Sequence, residues 1–401
     1  MNFIRCLHIT TTREALHEMG KAGVDPAGMK LMEGKTVHLN LKVERITPRV
    51  SNLLKQEMLS LGGDAAVDRR GFDCSAELTD AILMGTRKHF DRLVLKLAEY
   101  PGCQSLGLTL QETLRNLSKT RFILRCRKQT FILGEKTLLM GVLNVTPDSF
   151  SDGGLFLDKE KAVTRGLKMV EEGADLIDIG GESTRPGSFP LGQEEELSRV
   201  IPVIESLAQK TDVPISIDTY KSAVARKAVQ AGAAFINDIS GLHFDPNLAN
   251  VGAKEKIPII LMHIRGTPET MQTDIHYDSL FSDIIHSLRE SVQRAESAGV
   301  DPDQTIIDPG IGFGKTLEQN LLLLKHLSEF RILGKPLLLG TSRKSFIGKI
   351  LKAEDVSERL EGTLASMTIG VLNGAHIIRC HDVLQAKKAI AVADAIRLAE
   401  G

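Results

Sequence analysis

From residue 136 onward the chain repeats one pattern: a short apolar run rich in β-branched residues, a polar or glycine-rich break, then a helical stretch. The runs are LLMGVLNVT (138–146), LIDIGG (176–181), PISIDT (214–219), FINDIS (235–240), PIILMHI (258–264), TIIDPG (305–310), PLLLGTS (336–342) and IIRCHD (377–382). Helical candidates lie between them. In EEELSRVIPVIESLAQK (194–210), Leu197, Val200, Ile201, Ile204 and Leu207 share one face; SERLEGTLASMTIGVLNGA (357–375) is another such stretch. Eight β units alternating with helices over roughly 265 residues match the arithmetic of a (β/α)8 TIM barrel, typically about 250 residues. A doubly wound open sheet is the main rival, but no GxGxxG follows the first run. Each run is also apolar nearly throughout, as strands covered on both faces are. Just upstream, RFILRC (121–126) and QTFILG (129–134) flank a short break and predict a β-hairpin placed to close the bottom of the barrel.

Residues 1–120 have a different texture. FIRCLHI (3–9), KTVHLNLKV (35–43) and DAILMG (80–85) read as strands. REALHEMGK (13–21), TPRVSNLLKQEMLSLG (47–62) and RKHFDRLVLKLAEY (87–100) read as helices. The expected architecture is α/β: a small N-terminal α/β domain over 1–120, without a motif that carries chemistry, and a TIM-barrel catalytic domain over 121–401.

Composition changes this picture little. The 401 residues carry a net charge of −1 and no run of like charge, so neither nucleic acid nor a membrane surface is expected as a partner. The five cysteines, Cys6, Cys74, Cys103, Cys126 and Cys380, are odd in number and form no CxxC pair, which fits a reducing cytoplasm. MNFIRCLHIT has no long apolar core and no small-residue cleavage site, so no signal peptide is expected. No uninterrupted apolar stretch approaches the roughly 18–20 residues of a bilayer span.

In a TIM barrel the chemistry gathers at the C-terminal ends of the strands. Here every run ends in polar groups: Asn144, then GESTRPG (181–187), Asp218, Asn237 with Asp238, His263 with Arg265, Asp308, Ser342 with Arg343 and Lys344, and Arg379 with His381 and Asp382. Unpaired carboxylates in a barrel mouth are costly. Asp218, Asn237 and Asp308 would be satisfied by a flat heterocycle carrying several N–H donors, with Lys344 facing its carbonyl or ring nitrogen. The plainer alternative pairs the carboxylates internally with Lys344 or Arg343. Arg379, His381, Arg185 and Asn144 come from neighbouring strands and suggest an anion site; a rim pair of Arg379 with Asp382 is the alternative there. VTPDSFSDGGLF (145–156) and ESTRPGSFPLG (182–192) have the composition of loops that close over substrate, with Phe150 best placed to cover the site. GFGKT (312–316) lacks the spacing of a phosphate loop and reads as a rim loop with Phe313 as an apolar wall.

These segments resemble the dihydropteroate synthase family. NVTPDSFSDGG (144–154), DIGGESTRPG (178–187), SIDTYK (216–221), INDISG (236–241), LMHIRGTPETMQ (261–272), DPGIGFGK (308–315), GTSRKSFIG (340–348) and RCHD (379–382) match it in order, over about 121–400. The first 120 or so residues are absent from typical short members. The resemblance implies condensation of 6-hydroxymethyl-7,8-dihydropterin pyrophosphate with p-aminobenzoate, giving 7,8-dihydropteroate and pyrophosphate, with Mg²⁺. It implies that Asp218, Asn237, Met262, Asp308, Gly340 and Lys344 bind the pterin, with Asp218, Asp308 and Lys344 catalytic. Asn144, Arg185, Arg379 and His381 would hold pyrophosphate, Asn144 also the metal, and Thr184, Pro186, Phe313 and Ser345 would surround p-aminobenzoate. Partners are then small-molecule substrates, with the enzyme a homodimer in the cytoplasm. A pterin-binding methyltransferase is the nearest rival, but it has no use for the anion cluster. A non-catalytic pterin-binding protein is expected to have lost some of Asn144, Lys344, Arg379 or His381, and all are present.

Overall fold

The computed structural model of the chain describes residues 3–7, 9–72, 75–127, 129–146, 155–183 and 187–399. They form two compact units, one extending to Ser118 and one spanning Lys119–Leu398.

The first unit is an antiparallel sheet in the order β1 (His38–Ile46), β3 (Thr79–Thr86), β2 (Asp64–Val67). Helices Pro48–Leu61, Arg87–Glu99 and Gln104–Ser118 cover it, with Leu54, Met58, Phe90, Leu93 and Leu114 packed on Ala81 and Leu83 of β3. The start and stop of the first helix are legible in its sequence. The Thr47 side chain accepts from the Val50 N–H, Pro48 takes the first turn, and Gly62 ends it at φ 89°. The strand expected over 3–9 is not there: residues 3–7 have no regular structure, and Phe3 and Ile4 are exposed. β-Branched residues alone do not make a strand without a partner edge. DAAV, which does pair, was too short and alanine-rich to stand out.

The second unit begins with the hairpin of β4 (Phe122–Cys126) and β5 (Gln129–Leu133). Eight parallel strands follow: β6 (Leu138–Asn144), β7 (Leu176–Gly180), β8 (Ile215–Asp218), β9 (Phe235–Asp238), β10 (Ile259–Met262), β11 (Thr305–Asp308), β12 (Leu338–Leu339) and β13 (Ile377–Cys380). Their order is β11-β10-β9-β8-β7-β6-β13-β12. A parallel bridge between Ile307 and Leu337 brings β11 to β12 and closes the barrel.

Alternation sorts each strand into two sets. Leu139, Leu143, Ile177, Ile179, Ile217 and Leu339 face outward and pack beneath the helices. Leu138, Met140, Leu176, Phe235, Ile260, Ile306, Leu338 and Ile377 face inward and pack with Phe122, Leu124, Cys126 and Leu133 of the hairpin. The hairpin therefore plugs the N-terminal end of the barrel. Gln304, just before β11, locks it: its Oε1 accepts from the Arg125 N–H at 3.0 Å, and its Nε2 donates to the Ile123 carbonyl at 3.4 Å.

Candidate active site

The site is built by moving two residues up each strand from the apolar inward layer. The period-two alternation brings Asp178, Asp218, Asn237, Met262, Asp308, Gly340 and Arg379 to the same interior, one level nearer the strands' C-terminal ends. Every inward residue in this upper layer but Met262 and Val142 of β6 is polar or glycine.

Arg379 organises the layer. From β13 its guanidinium passes β6, donating from Nε to Asp178 Oδ2 on β7 and from Nη2 to Asp218 Oδ2 on β8, both at 2.6 Å. Asn237 Nδ2 donates to the same Asp178 oxygen at 2.9 Å. The other Asp178 oxygen is buried with no hydrogen-bond partner among the described residues. Close approach is eased where side chains are missing: a Cβ on Gly180, Asp218's partner in register, would lie 3.5 Å from Asp218 Cβ. One on Gly340 would lie 3.7 Å from Arg379 Cβ. Burial pushes the Asp218 carboxyl up to about 7 despite the adjacent Arg379 charge. The two carboxylates in turn raise Arg379, which stays protonated.

Opposite this pair, Asp308 is buried; burial raises its carboxyl, against the nearby Lys344 charge and the Gly310 N–H that donates to Oδ1 at 2.7 Å. Lys344 donates to the Ile311 carbonyl, and its ammonium lies 4.6 Å from the centre of the Phe313 ring. Burial brings Lys344 down to about 8. The residue before it, Arg343, adopts φ 57°, a conformation non-glycine residues rarely take. A two-pronged bond to Asp382 at 2.9 and 2.5 Å and the Arg343 N–H to Thr363 Oγ1 at 2.9 Å hold it there. Asp382 is thus the partner of Arg343 rather than of Arg379, and the alternative of a rim Arg379–Asp382 pair is set aside. Likewise the internal partner of Asp218 is Arg379, neither Lys344 nor Arg343.

His381 follows β13 half-buried, its Nδ1 2.9 Å from Ser342 Oγ. Asn144 ends β6, half-buried and paired in register with Gly180. Because β7, β6 and β13 are consecutive in the sheet, the strands carrying Asn144 and Arg379 are immediate neighbours, as the anion-site reading requires. Ser345 is exposed at the first turn of helix Ser345–Leu351, next to Lys344. Thr184, Arg185, Pro186 and Phe150 lie outside the described residues, as do 147–154 of the first expected closing loop. The base of the second loop is anchored: Glu182 accepts from Tyr220 Oη at 2.9 Å and pairs with Lys221, whose Nζ also meets Glu196 at 2.6 Å.

Asp178 was missed as a site residue. The signal was present: a single charge inside the apolar run LIDIGG, at an inward position. Among the described residues no group of three His, Cys, Asp or Glu is placed to hold a metal ion. No helix among them is long and apolar enough to cross a membrane.

The pterin binding enzyme family matches residues 140–381, the span from β6 to the end of β13. The dihydropteroate synthase of Synechocystis sp. is 51% identical over 266 residues, 66% of this chain and 92% of that protein. A probable bifunctional folylpolyglutamate synthase/dihydropteroate synthase of Halobacterium salinarum is 41% identical over 388 residues, 96% of this chain but 46% of its own length. That match takes in the N-terminal unit as well. The structure of Xanthomonas albilineans dihydropteroate synthase with 4-aminobenzoic acid covers 70% of this chain and 100% of its own at 43% identity and a TM-score of 0.65.

Proposed function

The chain belongs to the pterin binding enzymes, and among them to the dihydropteroate synthases, and from that premise we propose how its barrel mouth divides the work. The enzyme is a transferase that condenses 6-hydroxymethyl-7,8-dihydropterin pyrophosphate with p-aminobenzoate, yielding 7,8-dihydropteroate and pyrophosphate.

The observation that carries the division is the Arg379 bridge across Asp178 and Asp218. It makes one buried layer both a hydrogen-bond acceptor for ring N–H groups and a source of fixed positive charge. Asp218, Asp308 and Asn237 take the donors of the aminopyrimidinone edge; Lys344 meets its carbonyl or ring nitrogen; Met262 and Gly340 line the flat faces. The second Asp178 oxygen is buried and has no partner among the described residues. Binding of the pyrophosphate is assigned to Arg379, His381, Asn144 and Arg185, and binding of p-aminobenzoate to Thr184, Pro186, Phe313 and Ser345.

The leaving group departs as Arg379 and His381 neutralise its charge. The cation left on the pterin methylene delocalises into the ring, and the buried carboxylates of Asp218 and Asp308 favour it. The neutral arylamine attacks that carbon and then loses a proton. No covalent intermediate with the protein is needed, and burial raises the Cys126 and Cys380 thiols, away from the thiolate that a nucleophile requires. Mg²⁺ fits the donor set: it keeps several waters and takes one or two protein oxygens alongside substrate phosphates. The Asn144 amide oxygen would hold it, supplying extra charge neutralisation to the pyrophosphate. The face that exposes Ile369 and Leu372 on helix Leu360–Leu372 and Val392 and Ile396 on helix Val383–Leu398 supports a homodimer. The free Cys103, Cys126 and Cys380 support a reducing cytoplasm.

A coupled assay of pyrophosphate release tests the reading. Release that requires p-aminobenzoate and matches dihydropteroate formation mole for mole is expected; release at the same rate without the amine would make the site a hydrolase.

A further inference from the structure

Lys315 is wholly interior, 3% exposed, at the end of the loop that follows β11. Lysine is almost never buried unless paired, and this one makes no ion pair among the described residues. Its Nζ instead donates to the Gly310 carbonyl at 3.0 Å and the Phe313 carbonyl at 2.9 Å and shares a hydrogen bond with His263 Nδ1 at 3.0 Å. His263, 7% exposed just after β10, is held neutral by burial and by neighbouring Lys315, and burial likewise pushes Lys315 well below the usual lysine range.

The loop is wound closely around this nitrogen. Gly310, Gly312 and Gly314 all take positive φ, at 71°, 84° and 64°. A Cβ at Gly310 would fall 1.9 Å from the His263 carbonyl oxygen, so the turn admits only glycine. Asn320 braces the other side, accepting from the Gly312 N–H at 2.6 Å and donating to the Thr316 carbonyl at 2.7 Å. What the loop presents outward is functional: the Gly310 N–H on Asp308, the Ile311 carbonyl that receives Lys344, and the Phe313 ring beneath the Lys344 ammonium.

We propose that Lys315 is a positioning residue for the reaction, the internal hub on which loop 310–316 is wound so that Phe313 is presented to p-aminobenzoate in fixed register. The proposal rests on the reading of Phe313 as a wall of that pocket. Removing the Lys315 amine strands the Gly310 and Phe313 carbonyls and the His263 ring nitrogen and loosens the loop around Phe313. The ring pocket's other wall, from Asp178, Asp218 and Asn237, stands on separate strands and is untouched.

Steady-state kinetics of Lys315→Met beside Phe313→Ala, with calorimetry of pterin pyrophosphate, test it. Both variants should raise KM for p-aminobenzoate about tenfold or more, and Lys315→Met should lower kcat as well, with pterin pyrophosphate Kd changed severalfold less than that KM because Asp308 and Lys344 touch the same loop. If Phe313→Ala raises KM and Lys315→Met does not, the proposal fails while the Phe313 assignment stands. If neither raises it, the assignment falls and takes the proposal with it. Equal weakening toward both substrates would mark Lys315 as a general structural residue and overturn the proposal. Should Lys315→Met not fold, Lys315→Gln, whose amide retains two donors, is held to the same split with a smaller change.

Discussion

The two ends of the barrel are made from the same eight strands by the same alternation, yet they do opposite things. At the bottom, the first inward residues are Leu, Phe and Ile, sealed by an apolar hairpin. Two positions further on, the inward residues are Asp178, Asp218, Asn237, Asp308 and Arg379, and what seals them is charge pairing. The lower layer has one solution, dense packing. The upper layer is only partly satisfied from within: an Asp178 oxygen has no partner among the described residues, and burial raises the carboxyls of Asp218 and Asp308. Stability is concentrated at one end and unfinished electrostatics at the other.

Arg379→Ala should separate the two most sharply. It leaves Asp178 and Asp218 buried without their counter-charge, at a cost of about 3–5 kcal/mol by denaturant unfolding, and abolishes measurable turnover. Adding Asp178→Asn should restore part of the stability and none of the activity; full recovery of turnover would show that Arg379 serves packing alone. At the other end, Leu124→Ala in the plug should cost about 3 kcal/mol while leaving kcat and both KM values unchanged. A changed KM would mean the ends are coupled.

The pH profile gives an intermediate effect. With Asp218 pushed up to about 7 and Lys344 down to about 8, kcat/KM for the pterin substrate should rise as pH passes the first and fall beyond the second. Asp218→Asn should remove the acid limb and Lys344→Met the alkaline one. The stability consequence has a definite sign. The folded carboxyl of Asp218 keeps its proton between its ordinary 3.8 and about 7, whereas the unfolded chain releases it. Its contribution is therefore most favourable at the acid end and declines across that window as pH rises. Asp218→Asn should flatten that decline in thermal melts at stepped pH.

The smallest effect is expected from removing the N-terminal unit. A chain beginning at Lys119 retains every residue named in the site and should turn over within about threefold of the full chain, as separately folded domains allow. A folded but inactive truncation would give that unit a part in the reaction.

The barrel was legible because strands covered on both faces are continuous apolar runs, and the closing hairpin because its two halves flank so short a break. Asp218, Asn237 and Asp308 were legible as polar residues terminating those runs. Asp178 was not, since it lies inside its run and takes its meaning from Arg379, 201 residues away. Arg343 illustrates the same limit: Arg343 and Asp382 meet only once β12 and β13 are adjacent. The strand expected over 3–9 shows the opposite error, since local propensity there found no neighbour to pair with.

The central claim is that the polar layer binds the pterin pyrophosphate and the apolar layer only supports it. Calorimetry of that substrate on Asp218→Asn and Leu124→Ala, each compared with the parent protein at a temperature where all are folded, tests it most directly. The account predicts binding weakened about 10- to 100-fold by Asp218→Asn and changed by less than about threefold by Leu124→Ala. Equal losses in the two variants, or undiminished binding in Asp218→Asn, would contradict it.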